Sequence, residues 1–86
     1  MKYYKGRDEY EPQYGEGLIY FEVDDELDMV VRQVEIYERA CFSGRWTGSS
    51  LEGWISDKKA SQTDFAQTQP ISAEEFEIAW KQANKK

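Results

Sequence analysis

Residues 18–24 (LIYFEVD) and 29–38 (MVVRQVEIYE) decide the fold that the sequence predicts. Both stretches are rich in β-branched and aromatic residues, which favour β-strands. In the first stretch the side chains alternate, so Ile19, Phe21 and Val23 share one face and are expected to point inward. The acidic segment 24–28 between the stretches is typical of a turn. Together they predict an antiparallel β-hairpin.

The second strand carries a cation on its apolar face. Val30, Val34 and Ile36 share that face with Arg32. In one interpretation the stem of Arg32 packs on the core and its guanidinium reaches a carboxylate of the segment 24–26. In the other, Arg32 is a candidate anion clamp that binds a carboxylate or phosphate through two hydrogen bonds. The first interpretation is favoured because the acidic residues are close in the chain.

The C-terminal segment predicts an α-helix. Ser72 and Glu75 have the spacing of a capping box, and Ile71 and Phe76 have that of a hydrophobic staple. Apolar residues then recur at helical spacing and form one stripe, which comprises Phe76, Ala79, Trp80 and Ala83. The stripe needs an apolar surface to cover, and the inner face of the sheet is the expected partner.

The remaining segments complete the predicted architecture. Weaker strand patterns occur at 2–7, 41–46 and 51–56, and the polar segment 57–70 is predicted to be a surface loop. The sequence therefore predicts a single α+β domain over residues 1–86, with an antiparallel β-meander sheet of three to five strands and one C-terminal helix packed on one face. The inner face beneath the helix is expected to hold Ile19, Phe21, Val23, Val34, Ile36 and Phe42.

The composition argues against catalysis and metal binding. There is no His, which is the commonest general base, and the single Cys41 cannot form an internal disulfide or a zinc cluster. A chain of 86 residues also has a thin core and little room for a desolvated pocket. We therefore expect no enzymatic activity, no cofactor and no metal site.

The charge balance constrains the partners. With 17 Asp and Glu against 11 Lys and Arg, the net charge is −6. This argues against direct nucleic-acid binding, which uses clustered cations. No apolar run approaches the ~20 residues that span a bilayer, and no apolar stretch follows the N-terminal charges. The expectation is a cytoplasmic protein that does not bind membranes.

Two groups of residues are candidates for binding a basic partner. The first is the acidic turn, which contains Asp24, Asp25, Glu26 and Asp28. Its spacing loosely resembles a calcium loop, but Met29 stands at the sixth position, where such a loop needs Gly. A solvated turn is the default interpretation, and a binding patch is the second. The other group is a set of outward-facing aromatic residues, since such residues are enriched at interfaces: Tyr20, Tyr37 and Trp54.

The leading functional hypothesis is a small acidic protein–protein interaction module. An immunity or antitoxin-like inhibitor of a basic partner would be one form of it. The alternatives are a nucleic-acid-mimicking inhibitor and a small-ligand-binding accessory protein centred on Arg32.

Two parts of the sequence together resemble a known family. The hairpin contains YFEVDDE at 20–26 and VRQVEIY at 31–37, and the helix contains ISAEEFEIAW at 71–80. The pair is similar to a family of small, stand-alone bacterial proteins that is classed only as a domain of unknown function. The resemblance implies a meander sheet closed by one helix, and it implies no activity. This chain has Arg39 and Ala40 where the family tends to turn through Asp-Gly.

Overall fold

In the part of the chain that the structure describes, six antiparallel strands form one sheet in the order β5-β4-β3-β2-β1-β6. The computed structural model describes residues 1–63, 65 and 67–85. The strands are β1 (Lys2–Glu11), β2 (Gly15–Asp24), β3 (Met29–Tyr37), β4 (Cys41–Trp46), β5 (Leu51–Gly53) and β6 (Thr68–Pro70). A 3₁₀ turn covers Ala60–Gln62, and the helix α1 covers Ala73–Ala83. No helix in the described part of the chain is long and apolar enough to cross a bilayer.

The predicted α+β class is confirmed, and the sheet has one strand more than the expected maximum. Strands β1 to β5 form the meander, and β6 then crosses to the far edge and pairs with Tyr4–Gly6 of β1. This strand lies in the segment 57–70, which the sequence predicts to be a loop; positions 64 and 66 of that segment lie outside the described residues. Strand β6 has only three residues, ends in Pro70 and shows no alternation of apolar side chains. It therefore depends on the free edge of β1 for its pairing.

The β2–β3 hairpin is confirmed, and it contains a β-bulge. Glu22 pairs with Arg32, but Val23 pairs with Val30, so Val31 is an extra residue on β3. The extra residue reverses the alternation beyond it. Val30 therefore lies on the face opposite to Arg32, and the prediction that they share a face is wrong.

The face predicted for β2 is also wrong. Tyr20 and Glu22 lie beneath the helix, whereas Ile19, Phe21 and Val23 lie on the other face. The helix covers a core made of Tyr20, Val34, Phe76 and Ala79, with Ile36, Trp80 and Ala83 packed against it. Alternation does not identify the helix side of this sheet, because both of its faces are covered.

The second face has its own apolar cluster. Phe21, Val23 and Val30 are buried there, and residues after β5 cover them: Ile55, Ala60 and Phe65. The Phe65 ring stacks on Tyr4 at 4.8 Å. Phe42 also lies on this face, opposite Glu35 in the register, so its predicted position beneath the helix is wrong.

The helix begins where the capping signals predict. Ser72 Oγ accepts a hydrogen bond of 3.1 Å from the backbone N–H of Glu75. Ile71 packs against the same core cluster as Phe76, which is fully buried. The Glu75 carboxylate accepts a hydrogen bond from Lys5 Nζ of β1 at 2.8 Å, which ties the first helical turn to the sheet.

Candidate functional site

The three aromatic residues predicted to face outward do not lie together. Tyr20 is buried beneath the helix, with 8% of its surface exposed. Tyr37 and Trp54 lie on the opposite face, where each ring contacts Phe42, at centroid distances of 5.9 and 5.3 Å. Only Trp54 is well exposed, at 57%. The structure thus separates Tyr20 from the other two candidates.

Two of the four candidate carboxylates in the acidic turn stabilise the turn itself. Asp24 Oδ1 accepts hydrogen bonds from the backbone N–H groups of Glu26 and Leu27, at 2.9 and 3.2 Å. Asp28 has a positive φ of 52° and accepts hydrogen bonds from the backbone N–H and the hydroxyl of Ser61, both at 2.7 Å. These bonds from Ser61 lower the pKa of the Asp28 carboxyl.

The other two acidic residues of the turn, Asp25 and Glu26, are exposed. Asp25 lies 3.6 Å from Lys2 Nζ in a surface ion pair. Among the described residues, no group of three or more potential ligands is arranged to hold a metal ion. Of the four carboxylates that the sequence offers to a partner, only those of Asp25 and Glu26 are therefore accessible.

Arg32 lies between the sheet and the helix, with carboxylates on both sides. Its Nε and Nη2 donate to the two oxygens of Glu22, at 2.6 and 2.9 Å, and Nη2 also donates to Glu77 of the helix. The guanidinium carbon lies 4.9 Å from the ring centroid of Phe76 and 5.0 Å from that of Trp80. The Arg32 side chain is 22% exposed and that of Glu22 is 9% exposed.

These contacts account for the electrostatics of the cluster. Hydrogen bonding to Glu22 raises the pKa of Arg32, and the guanidinium in turn lowers the pKa of Glu77. The carboxylate partners are Glu22 and Glu77 rather than the residues of the segment 24–26. An incoming anion would have to displace both carboxylates, and the anion clamp stays an untested prediction.

A feature that the sequence analysis missed lies at the end of the sheet where β1 and β3 finish and β2 begins. An open hollow of about 510 Å³ is present there. We call it the acidic hollow, and its lining includes Asp8, Tyr10, Glu16, Leu18 and Glu38. The segment 7–18 is rich in Tyr and acidic residues, but Gly and Pro interrupt its periodicity. Only the pairing of the three strands brings it together with Glu38.

The acidic hollow combines exposed carboxylates with exposed apolar surface. Glu16 and Glu38 are exposed, and neither forms an ion pair within the described part of the chain. The nearby guanidinium of Arg39 instead donates to the backbone carbonyls of Pro12 and Gln13. Tyr10 and Leu18 are 63% and 37% exposed. The hollow therefore offers charge and apolar contact to a cationic group.

At one wall of this hollow, the Tyr37 hydroxyl contacts two carboxyl groups. Tyr37 reaches from β3 across Gly17 of β2, where an added Cβ would lie only 2.4 Å from the ring. Its hydroxyl contacts Glu35 Oε1 at 2.6 Å and also Asp8 Oδ2 on β1. Glu35 is 5% exposed, and its Oε2 accepts a hydrogen bond of 3.0 Å from Gln33 Nε2.

Burial is the main reason why the pKa values of Glu35 and Tyr37 are raised. Removal from water raises the pKa of Glu35, and the Asp8 carboxyl raises it further. Burial and the two neighbouring carboxyls also raise the pKa of Tyr37. The sequence shows Glu35 and Tyr37 at a spacing that places them on one face of a strand, but Asp8 joins them only through the β1–β2 pairing.

No family model, curated protein or solved structure matches this chain. The resemblance to the small bacterial family therefore stays an expectation.

Proposed function

We propose that this protein is a small acidic protein–protein interaction module and that it binds a basic partner through the acidic hollow. The observation that carries the proposal is the position of Glu16 and Glu38. Both are exposed at one open hollow, and neither forms an ion pair in the part of the chain that the structure describes. An immunity or antitoxin-like inhibitor of a basic protein is one form that such a module takes.

The chemistry of the acidic hollow suits a Lys or Arg side chain. Among its described lining residues, the carboxylates of Asp8, Glu16 and Glu38 outnumber the guanidinium of Arg7. Tyr10 and Leu18 offer the apolar contact that the stem of a basic side chain makes. The net charge of −6 would also speed the encounter with a cationic protein, and added salt would reduce this effect.

The exposed part of the acidic turn is the second contact surface under this proposal. Asp25 and Glu26 lie on exposed residues, whereas Asp24 and Asp28 hydrogen-bond within the protein. A nucleic-acid mimic needs a row of outward carboxylates, and Glu22, Glu35 and Glu77 all form internal hydrogen bonds. An interaction with a basic protein surface requires no such row.

A pair of charge-matched variants tests the proposal. Glu16→Gln/Glu38→Gln and the control Glu52→Gln/Glu74→Gln each remove two negative charges, so both change the net charge from −6 to −4. Each protein is used to capture partners from a host lysate at low and moderate salt, followed by mass spectrometry. We expect one basic protein to be captured by the wild type and the control and to be lost with the first variant. Equal capture by both variants would remove the acidic hollow from the proposal.

Chemical-shift mapping with a defined probe locates the surface independently. A peptide of ten lysines is added to the labelled protein. Shifts concentrated at Tyr10, Glu16, Leu18 and Glu38 support the acidic hollow. Shifts concentrated at Asp25 and Glu26 would transfer the site to the acidic turn, and shifts spread evenly over the surface would indicate non-specific attraction only.

A further inference from the structure

We infer that Asp8, Glu35 and Tyr37 form a proton-sharing latch, in which one bound proton fastens the end of β1 to β3 across β2 and its release loosens this end of the sheet. The inference is separate from the proposed function, because it concerns the stability of the protein without any partner.

The geometry around the Tyr37 hydroxyl points to the shared proton. The Tyr37 hydroxyl lies within hydrogen-bonding distance of Glu35 Oε1 and of Asp8 Oδ2. A phenol has one hydrogen and donates it to one acceptor only, whereas an ionised carboxylate can only accept. Both contacts are hydrogen bonds if one carboxyl is protonated and donates to the hydroxyl oxygen. The pair then carries one negative charge instead of two.

Removal from water and the neighbouring Asp8 favour the protonated state of Glu35, and the hydrogen bonds from Tyr37 and Gln33 oppose this only in part. On β2 Glu35 pairs with the uncharged Ile19, and Asp8 of β1 approaches it through the Tyr37 hydroxyl that both carboxyls contact. Its neighbours on β3 are Gln33 and Tyr37. Phe42 lies opposite it on β4, with the uncharged Tyr14 and Trp54 packed on that ring. The segment after β5 contributes the backbone N–H of Ser56, which donates to Gln33 Oε1. None of these described groups supplies a positive charge to Glu35.

The sign of the pH effect follows from burial. An exposed Glu has a pKa of ~4.3. Burial raises the pKa of Glu35 in the folded protein, so the native state binds the proton more tightly than the unfolded chain does. The stabilisation by the latch is therefore complete below the unfolded pKa, and it is lost as the pH rises through the folded pKa. Above that pH, the Glu35 and Asp8 carboxylates are both charged and both lie against the Tyr37 hydroxyl, which has one hydrogen to donate.

Urea unfolding measured between pH 4.5 and 8.5 tests the latch. For the wild type, we expect the unfolding equilibrium constant to increase with pH by up to about tenfold per pH unit, the limit for one linked proton. In Glu35→Gln the amide stands in for the protonated acid, so this increase should disappear. The control Glu16→Gln removes an exposed carboxylate at the same end of the sheet, and its unfolding equilibrium constant should still increase with pH. A wild-type constant that does not rise with pH, or an increase that persists in Glu35→Gln, would overturn the inference.

A direct measurement on the wild type covers the case in which Glu35→Gln does not fold. Carboxyl ¹³C shifts of Asp8 and Glu35 are followed by NMR through the same pH range. A latch gives two coupled steps, one of them well above the usual pKa of Asp and Glu and accompanied by amide shifts in β1 at residues 7–11. Two independent steps near pH 4 would exclude a shared proton.

Discussion

Arg32 shows how a cation is accommodated beside an apolar core. Its guanidinium hydrogen-bonds Glu22 on the neighbouring strand and Glu77 on the helix, and it lies near the rings of Phe76 and Trp80. Such a pair gains little over apolar side chains of the same shape, but removing one partner leaves a poorly solvated charge. The cluster therefore fixes where the helix lies on the sheet more than it adds net stability.

Loss of Arg32 alone should be costly. In Arg32→Met the stem is kept, but the Glu22 carboxylate, which is 9% exposed, has no cation. We expect the free energy of unfolding to fall by about 3 kcal/mol. Urea denaturation at neutral pH measures the change.

The double variant Arg32→Met/Glu22→Leu is the matched control. It removes both charges, so most of the lost stability should return. Equal stability of the single and double variants would show that the Glu22 carboxylate does not depend on Arg32.

The partners of Arg32 could be predicted from the sequence only in kind. The sequence predicts a carboxylate partner, and the acidic residues of the turn are the nearest candidates in the chain. The hairpin register instead places Glu22 directly opposite Arg32, ten residues away. Counting residue by residue outward from the turn gives the wrong partner for Arg32, because the bulge at Val31 shifts the register by one residue.

The helix is the element whose limits follow most directly from local chemistry. Ser72 accepts a hydrogen bond from the N–H of Glu75, which has no partner within the first turn of the helix. Because this bond involves neighbours in the chain, the capping motif predicts it without knowledge of the fold.

Removal of the cap should weaken the whole protein modestly. We expect Ser72→Ala to lower the free energy of unfolding by ~1 kcal/mol. Ser72→Asp keeps an acceptor at the same position and should be close to the wild type. Thermal unfolding followed by circular dichroism compares the three proteins, and equal stability of the Ala and Asp variants would contradict the role of the cap.

Strand β2 needs a small residue at Gly17, because the Tyr37 ring of β3 lies across the strand there. An added Cβ at Gly17 would lie 2.4 Å from Tyr37 Cδ1, so Gly17→Ala displaces the ring. We expect a loss of about 1–3 kcal/mol, as for other overpacked sites. Urea denaturation measures this loss.

The variant Tyr37→Ala provides the control for that clash. In its background Gly17→Ala has no ring to displace, so the second substitution should cost much less than it does in the wild type. An equal cost in both backgrounds would show that the backbone of β2, and not the ring, rejects the methyl group.

The whole molecule is a sheet covered on both faces by different kinds of structure. The helix covers one face, and the chain between β5 and β6 covers the other, through residues such as Ile55 and Phe65. The polar segment 57–70 thus contributes to a core. Its sparse apolar residues give no periodic pattern from which this could be predicted.

The acid side of the stability profile should depend on carboxylates with a lowered pKa. Hydrogen bonds from Ser61 lower the pKa of Asp28, and Arg32 lowers that of Glu77. Their stabilisation is present above the unfolded pKa values and is lost as the pH falls through the folded ones. We expect the wild type to lose stability on acidification below the usual Asp and Glu pKa values.

The variant Asp28→Asn isolates part of this acid loss. Asn also tolerates the positive φ at position 28 and still accepts a hydrogen bond from Ser61, but it does not titrate. Urea unfolding between pH 2 and 5 should show a smaller acid loss in the variant than in the wild type. If the variant and the wild type lost the same stability on acidification, the hydrogen bonds from Ser61 would not favour the ionised form of Asp28.

The sequence by itself determined the fold class, the β2–β3 hairpin and the C-terminal helix. Strand propensity, the hairpin and the capping motif involve residues that are close in the chain, so they depend on local interactions. The absence of His and the net charge are likewise properties of the sequence alone. Only the tertiary structure decided which face of β2 meets the helix, that β6 closes the far edge, and that Asp8 joins Glu35 and Tyr37. These features depend on strand register, and one bulged residue is enough to reverse a face.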